Sequence, residues 1–392
     1  MRNNNYLLKT AVVAALGGSL SVAHATNGDQ MLGVTATQWG MAGAVVAAPQ
    51  DAGTVMSNPA GLATLGIEEF RVDMGFGFLN PPRKANGTES DSSLYLIPSG
   101  AMAIKVDDTL TLGLGMAGLS GMGVDFADIM AAAPGNQAVV TTKQFYKISP
   151  GFAYRVNERL AIGAALNIDY QSLALYNSQM AMPQNQGYGY GGSLGITYKF
   201  SDRLQVGASY ISEQNMDAFK WNVASNADDP TALPGGTYEM TLNAPQIVQF
   251  GVAFTPREGL LIEADIKHIA FSDVLGTVNI STPSGGSMPM NFGWDDQTVF
   301  ALGVQKQLND KTTVRIGYNY GESPIGPEDV TTNYGSLAVT EQHLSLGMTR
   351  KFGDRISTSL SYVRAFNNEV SNGVNSIELE QNVVNFQVSY KN

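Results

Sequence analysis

The stretch "RLAIGAALNIDYQ", Arg159 to Gln171, decides the fold. Leu160, Ile162, Ala164, Leu166, Ile168 and Tyr170 share one parity, and Gly163, Asn167, Asp169 and Gln171 share the other. In an extended chain successive side chains point to opposite faces, so a period of two describes a strand with one apolar and one polar or small face. The pattern recurs. "LTLGLGM" sets Leu110, Leu112, Leu114 and Met116 against Thr111, Gly113, Gly115 and Ala117. "YKISPGFAYRV" sets Tyr146, Ile148, Phe152, Tyr154 and Val156 against Lys147, Ser149, Gly151, Ala153 and Arg155. Leu194, Ile196, Tyr198 and Phe200 oppose Ser193, Gly195, Thr197 and Lys199; near the end, Val384, Phe386, Val388 and Tyr390 oppose Asn385, Gln387 and Ser389.

Alternation suits a secreted sandwich with its apolar face inward, or a membrane barrel with that face outward. Connection lengths separate the two. Short polar turns fall at Asp107-Asp108, Asn157-Glu158, Ser201-Asp202, Arg257-Glu258-Gly259, Asn309-Asp310 and Gly353-Asp354. Long connections fall at Asn80–Ser92, Gly123–Lys143, Tyr176–Tyr188, Ala218–Thr237, Ser272–Gln297, Glu322–Val339 and Asn367–Ile377. Short turns on one rim and long loops on the other are the asymmetry of outer-membrane barrels. Seven long and six short connections, with both ends on the short-turn side, predict about fourteen strands. Aromatic residues gather where strands meet the rims, among them Tyr146, Tyr154, Tyr170, Tyr198, Phe200, Tyr210, Phe254, Tyr318, Tyr320, Phe352 and Tyr362, as bilayer interfaces favour.

Composition agrees. Arg2 and Lys9, the apolar run Ala11–Ala23 and the small-x-small triplet Ala23-His24-Ala25 read as an export leader over residues 1–25, with the mature chain starting at Thr26. No later run approaches the ~18 apolar residues of a membrane-crossing helix. The chain has no cysteine, which excludes disulfides and thiolate metal sites. A net charge of −11 argues against nucleic acid or anionic lipid as a partner. Of three histidines, His24 leaves with the leader, His343 points inward and His268 lies near the outer end of its strand; that leaves little scope for triad or metal chemistry, so no enzyme and no cofactor is expected.

Before the first predicted strand, Ile67–Leu79, lies a segment rich in Gly and Ala that is broken at Pro49 and Pro59 and carries Asn58-Pro59-Ala60. It has neither a strand's alternation nor a long helix's period. A fourteen-stranded barrel leaves a lumen. The segment 26–66, too apolar for a free tail, suits a plug inside it. "GMAGAVVAAPQDAGTVMSNPAGLA", Gly40 to Ala63, resembles the N-terminal signature of the FadL/TodX family of outer-membrane transporters for hydrophobic compounds. "GWDDQTVFALGVQKQLNDKTTVRIGYNYGESPIGPEDV", Gly293 to Val330, and "EQHLSLGMTRKF", Glu341 to Phe352, resemble later parts of that family. The resemblance implies an all-β, fourteen-stranded antiparallel transmembrane barrel over residues 67–392 with an N-terminal hatch in its lumen. The family usually ends in an aromatic residue; here Tyr390 stands two positions early, before Lys391-Asn392.

The resemblance also implies a route: an apolar groove among extracellular loops, a pocket above the hatch, and a sideways exit where an early strand kinks. Strand Thr109–Met122 runs out through "AGLSGMG", where Gly118, Gly121 and Gly123 are candidates for that kink, since glycine inside a strand often marks a bulge. They equally suit a wall relieving crowding. Gly113 to Gly118 also spells G-x-G-x-x-G, but alternation runs through it, so it reads as wall. "VDFADIMAAAPG" reads as a short helix stopped by Pro134-Gly135, leaving Val124, Phe126, Ile129 and Met130 exposed above the membrane. With Leu173, Leu175, Met180 and Met182 these are groove candidates, and loop-against-loop packing is an equal account. Lys147, Arg155, Lys267, Arg315 and Lys351 fall on the lumen parity; the first four are candidates for pairing a cargo carboxylate, although Glu263, Asp265 and Asp169 share that face and a barrel interior holds paired charge anyway.

The expected function is passive uptake of long-chain fatty acids or aromatic hydrocarbons across the outer membrane of a Gram-negative bacterium. The expected partners are a hydrophobic small molecule, outer-membrane lipids with lipopolysaccharide, and the barrel-assembly machinery, the protein acting as a monomer. A general aqueous porin and a phage or adhesion receptor are the alternatives.

Overall fold

A computed structural model describes residues 26–126, 140–176, 181–224 and 233–392. The expected leader, and groove candidates Ile129, Met130 and Met180, lie outside the described residues. Fourteen long strands follow in order: β1 Phe70–Asn80, β2 Tyr95–Lys105, β3 Leu110–Asp125, β4 Val140–Arg155, β5 Leu160–Tyr176, β6 Ala181–Ser201 and β7 Leu204–Ile211, then β8 Ile247–Arg257, β9 Leu260–Ile269, β10 Gln297–Asn309, β11 Thr312–Gly321, β12 Gln342–Phe352, β13 Ile356–Ser371 and β14 Ser376–Lys391. Each pairs antiparallel with its neighbours, and β14 closes on β1 from Asn382↔Asn80 to Lys391↔Arg71. The cylinder is closed, each strand pairing with a neighbour on both sides.

The apolar parity faces out. Met74, Phe76, Leu112, Leu114, Leu166, Ile168, Leu194 and Val388 are all exposed, Leu166 by 67%. Water would not tolerate that band; a bilayer core requires it. Rings mark the rims: Tyr146, Tyr170 and Tyr188 sit 6.3 and 5.7 Å apart in sequence along β4, β5 and β6, and Phe70 stacks on Tyr390 at 5.6 Å across the closing seam.

Two connections differ from expectation. Residues 181–188 and 367–371 are strand: β5 and β6 pair as far as Tyr176↔Ala181, and β13 and β14 as far as Ser371↔Ser376. In the first case Gln171 to Leu175 are buried on both parities, so the alternation that marks a lipid-facing strand is lost although the ladder continues. In the second, polar residues dominate both faces, with Val370 and Ile377 the exceptions that reach the apolar cluster. β1 and β3 likewise span slightly different residues than expected, and Val124 and Asp125 end β3 where a helix was expected to begin.

Above the long-loop rim the connections build a roof. Phe219–Val223, Gly236–Met240, Thr277–Ser281 and Ser287–Asn291 form a four-stranded antiparallel sheet. Trp221, Tyr238, Phe271, Trp294 and Val330 share one buried apolar cluster beneath it. Phe271 meets Trp294 edge-on at 5.1 Å, and the Trp294 indole N–H donates to Asn333 Oδ1 at 2.7 Å.

Candidate functional site

Residues 26–66 lie against the inner wall and are almost wholly buried. The expectation that they contain no strand is corrected: Thr26–Asn27 and Gln30–Met31 pair as a minimal hairpin. Thr35 caps the helix Ala36–Gly40 by accepting from the Gln38 N–H, and Asn58 caps the 3₁₀ turn Pro59–Thr64 by accepting from the Ala60 N–H. Pro59 suits the first position of that turn, where its missing donor leaves nothing unsatisfied.

What lets this segment lie so close is a belt of glycines on the inward parity. A Cβ on Gly163 would stand 2.4 Å from the Ala60 amide nitrogen, one on Gly207 2.3 Å from the Val46 carbonyl oxygen, and one on Gly317 2.6 Å from the Met41 carbonyl carbon. The wall then binds backbone directly. Asp265 accepts from the Val45 and Val46 N–H groups at 2.7 and 3.0 Å, and Glu263 from those of Ala47 and Ala48 at 2.6 and 3.0 Å. Asn58 donates to the Val46 carbonyl and to that of Ile196 on β6. Arg155 donates to the Ala63 carbonyl, and Arg315 to Thr349 and Gln50.

Asp51, in this segment, takes hydrogen bonds from Thr35, Gln38 and the Gly53 N–H. Burial, and then the neighbouring Asp73 charge, push its carboxyl above the ordinary range against the pull of Arg71. The folded protein therefore holds this proton more tightly than the unfolded chain. That gives stability which is complete below the ordinary value of 3.8 and is lost as pH rises through the raised value. Asp51→Asn, which removes the titrating group, is expected to flatten the pH dependence of the segment's release. Limited proteolysis between pH 4 and 8 checks this; a steeper pH dependence in the variant would refute it.

The wall has one discontinuity beside the segment. β2 and β3 pair only from Lys105↔Thr111 to Ser99↔Ala117, while both strands continue beyond that point. There β3 bulges against β4 between Gly118 and Ser120, and Gln30 takes the free position opposite Ser120. Of the glycine candidates, Gly118 flanks the bulge, whereas Gly121 and Gly123 lie in regular pairing with Gln144 and Thr142.

A narrow apolar seam of about 50 Å³ opens above this point, between Met122, Leu173, Leu175, Met240, Leu242 and Phe292. Lys143 reaches into it. Its ammonium sits 2.5 Å from Asp29 Oδ2 and 3.3 Å from Ser120 Oγ, and Ser120 donates to the same carboxylate at 2.7 Å. Burial opposes ionisation of Asp29, but the Lys143 charge and the hydrogen bonds from Lys143, Ser120 and Gln30 outweigh it and hold the carboxyl below the ordinary range. Gly28, at φ +57°, lies directly under the Phe271 and Trp294 rings. Roof, seam and wall gap thus meet at one turn of the N-terminal segment.

Several expected site residues have other surroundings. Leu173 and Leu175 line the seam and Met182 shares its apolar cluster. Val124 and Phe126 belong to that cluster too, but at 2% exposure each they are interior; the expectation that they stand exposed is corrected, because the roof covers them. Lys147 is buried across the ladder from Asp169, and Lys267 shares the inward parity of β9 with Asp265. Lys143 and Asp29 were missed: Lys143 does not follow an apolar strand neighbour, and its partner lies 114 residues away.

A family model described as outer membrane protein transport protein (OMPP1/FadL/TodX) matches residues 18–390. The long-chain fatty acid transport protein of Salmonella typhi is 22% identical, over 84% of this chain and 85% of that protein. Outer membrane protein P1 of Haemophilus influenzae is 22% identical, over 92% and 89%. Among solved structures, a FadL homologue of Pseudomonas aeruginosa superposes with a TM-score of 0.77 at 15% identity, covering 93% of this chain and 99% of that one. The toluene transporter TodX of Pseudomonas putida gives 0.73 at 19% identity, over 93% and 100%.

Proposed function

This chain belongs to the OMPP1/FadL/TodX family of outer-membrane transport proteins, and from that premise we propose that it admits an amphipathic hydrophobic molecule, a long-chain fatty acid before an aromatic hydrocarbon, by passive diffusion. It is a β-barrel of the Gram-negative outer membrane. In this reading residues 1–25 are the leader, 26–66 the hatch and 67–392 the barrel. Cargo parts the roof, settles in the apolar seam beside Lys143, and leaves sideways through the β2–β3 gap when the Asp29–Met31 stretch moves off Ser120.

The observation that carries the proposal is the gap in β2–β3 pairing beside a filled lumen. A porin needs an open axis. Here Met41, Val46 and Ala60 pack against the wall glycines across that axis, so a sideways path is favoured over a vertical one. The seam is far smaller than the ~300 Å³ of an ordinary ligand pocket, which makes this the closed form. The fatty-acid preference rests on Lys143, which lines the largely apolar seam and whose ammonium, paired with Asp29 in this closed form, would exchange that partner for the cargo carboxylate when the Asp29–Met31 stretch moves.

The test is uptake of radiolabelled oleate and toluene by cells that lack their own transporter of this family and carry this gene. Oleate uptake above the vector control, with low conductance in planar bilayers, is expected. Lys143→Met should lower oleate uptake by about tenfold while sparing toluene, the loss of one charge-assisted contact. Steady ionic conductance without hydrophobic uptake would sink the proposal in favour of a porin.

A further inference from the structure

A second cavity, polar where the seam is apolar, lies at the other end of the lumen, at the short-turn rim. Its volume is about 140 Å³. Arg71, Arg315, Lys351, Arg355 and Lys391 all line it, against one lining carboxylate, Asp354. The chain carries 34 acidic and 23 basic residues, so this gathering of cations runs against its composition. The register explains how it arises. Thr313 faces Thr349, Thr349 faces Ser359, Ser357 faces Ser389 and Lys391 faces Arg71, so the inward ends of β11 to β14 and β1 form one continuous patch of hydroxyls and cations. Thr37 and Gln50 of the N-terminal segment complete the lining.

Only part of this charge is matched. Arg71 holds Asp73 through two nitrogens, at 2.8 and 2.9 Å. Arg315 is 91% buried; it donates to Thr349 and Gln50, yet its Nε has no acceptor. A buried guanidinium N–H beside further cations is costly unless an acceptor of negative charge joins them. Guanidinium forks and hydroxyls together fit the oxygens of a phosphate or carboxylate.

We propose that this cavity is an oxyanion site, and that a bound oxyanion bridges the wall cations to the Thr37–Gln50 side of the N-terminal segment and so holds that segment in place from below. The site is independent of the seam around Lys143 and of the identity of the cargo. Two sources supply the same chemistry: free phosphate, and the carboxylate of an acid arriving from the lumen.

The chain has no cysteine, so a single introduced one reports the segment's release. Ala52 is fully buried. Maleimide labelling of full-length Ala52→Cys protein in detergent should slow on adding phosphate, by about tenfold at ten times its dissociation constant. Chloride at matched ionic strength should do nothing. Octanoate acting as strongly as phosphate would identify the carboxylate as a source; octanoate without effect would identify phosphate alone. Both support the site. Lys351→Gln with Arg355→Gln should abolish the protection. No difference between phosphate and chloride, or protection that survives the double change, overturns the proposal. Should the double variant fail to fold, phosphate binding to the unaltered protein by calorimetry decides, and no binding above the chloride control overturns it. Uptake of oleate is not the readout, so failure here leaves the transport proposal standing.

Discussion

Gly163→Val is expected to leave the barrel folded and to drive the N-terminal segment out of it. Valine favours a strand, and the position lies in regular pairing with Ala153 on β4 and Gly195 on β6, so the ladder itself tolerates the change. The inward side does not. The first added carbon alone would stand 2.4 Å from the Ala60 nitrogen and 2.5 Å from the Pro59 carbonyl carbon. These are backbone atoms of a capped turn, with no flexible end to swing aside. Overpacking typically costs about 1–3 kcal/mol where side chains can adjust, and here they cannot. Asn58 would lose its place as well, since its Oδ1 fills the space over Gly195. Planar-bilayer recordings should change from a closed state to steady conductance, and cells should become sensitive to antibiotics too large for ordinary porins. A variant that stays closed although a cysteine introduced at position 52 has become reactive would show that the segment does not plug the barrel; one in which that cysteine stays unreactive would show that the close approach at Gly163 does not hold the segment to this limit.

Glu263→Ala combined with Asp265→Ala should release the same segment by removing acceptors rather than space. Both carboxylates are buried on β9, and between them they take the N–H groups of four consecutive residues, Val45 to Ala48. An unsatisfied buried donor costs about 1–3 kcal/mol, so four orphaned donors amount to roughly 4–12 kcal/mol if they add. That is comparable to the whole stability of a domain. The amide pair Glu263→Gln with Asp265→Asn keeps one oxygen at each site and should lose far less. Protease access to Val45–Ala48, followed by mass spectrometry of the fragments, separates these outcomes. Equal release in the alanine and amide pairs would mean that charge, and not the supply of acceptors, holds the segment.

The strands were legible because alternation is local. Leu160 to Tyr170 show it in eleven residues, and each short polar turn marks the same rim wherever it falls. It failed where local pattern and pairing part company. Gln171 to Leu175 are strand with both faces buried, and Asn367 to Ser371 are strand with Val370 as their one apolar residue. The glycines give the same lesson. On the strand parity opposite the apolar residues, Gly163 and Gly195 read only as small wall residues, yet with Gly207 and Gly317 they serve close approach between wall and N-terminal segment.

The sequence by itself determined a closed fourteen-stranded barrel with its apolar side turned to lipid, because strand period and turn asymmetry are properties of short stretches. Only the tertiary structure decided which polar groups meet inside. Lys143 finds Asp29 across 114 positions, Asp265 finds Val45 across 220, and the rim cations come together from opposite ends of the chain. The physical reason is closure: a barrel brings its last strand beside its first, and what faces its lumen is set by shear and register around the whole circumference.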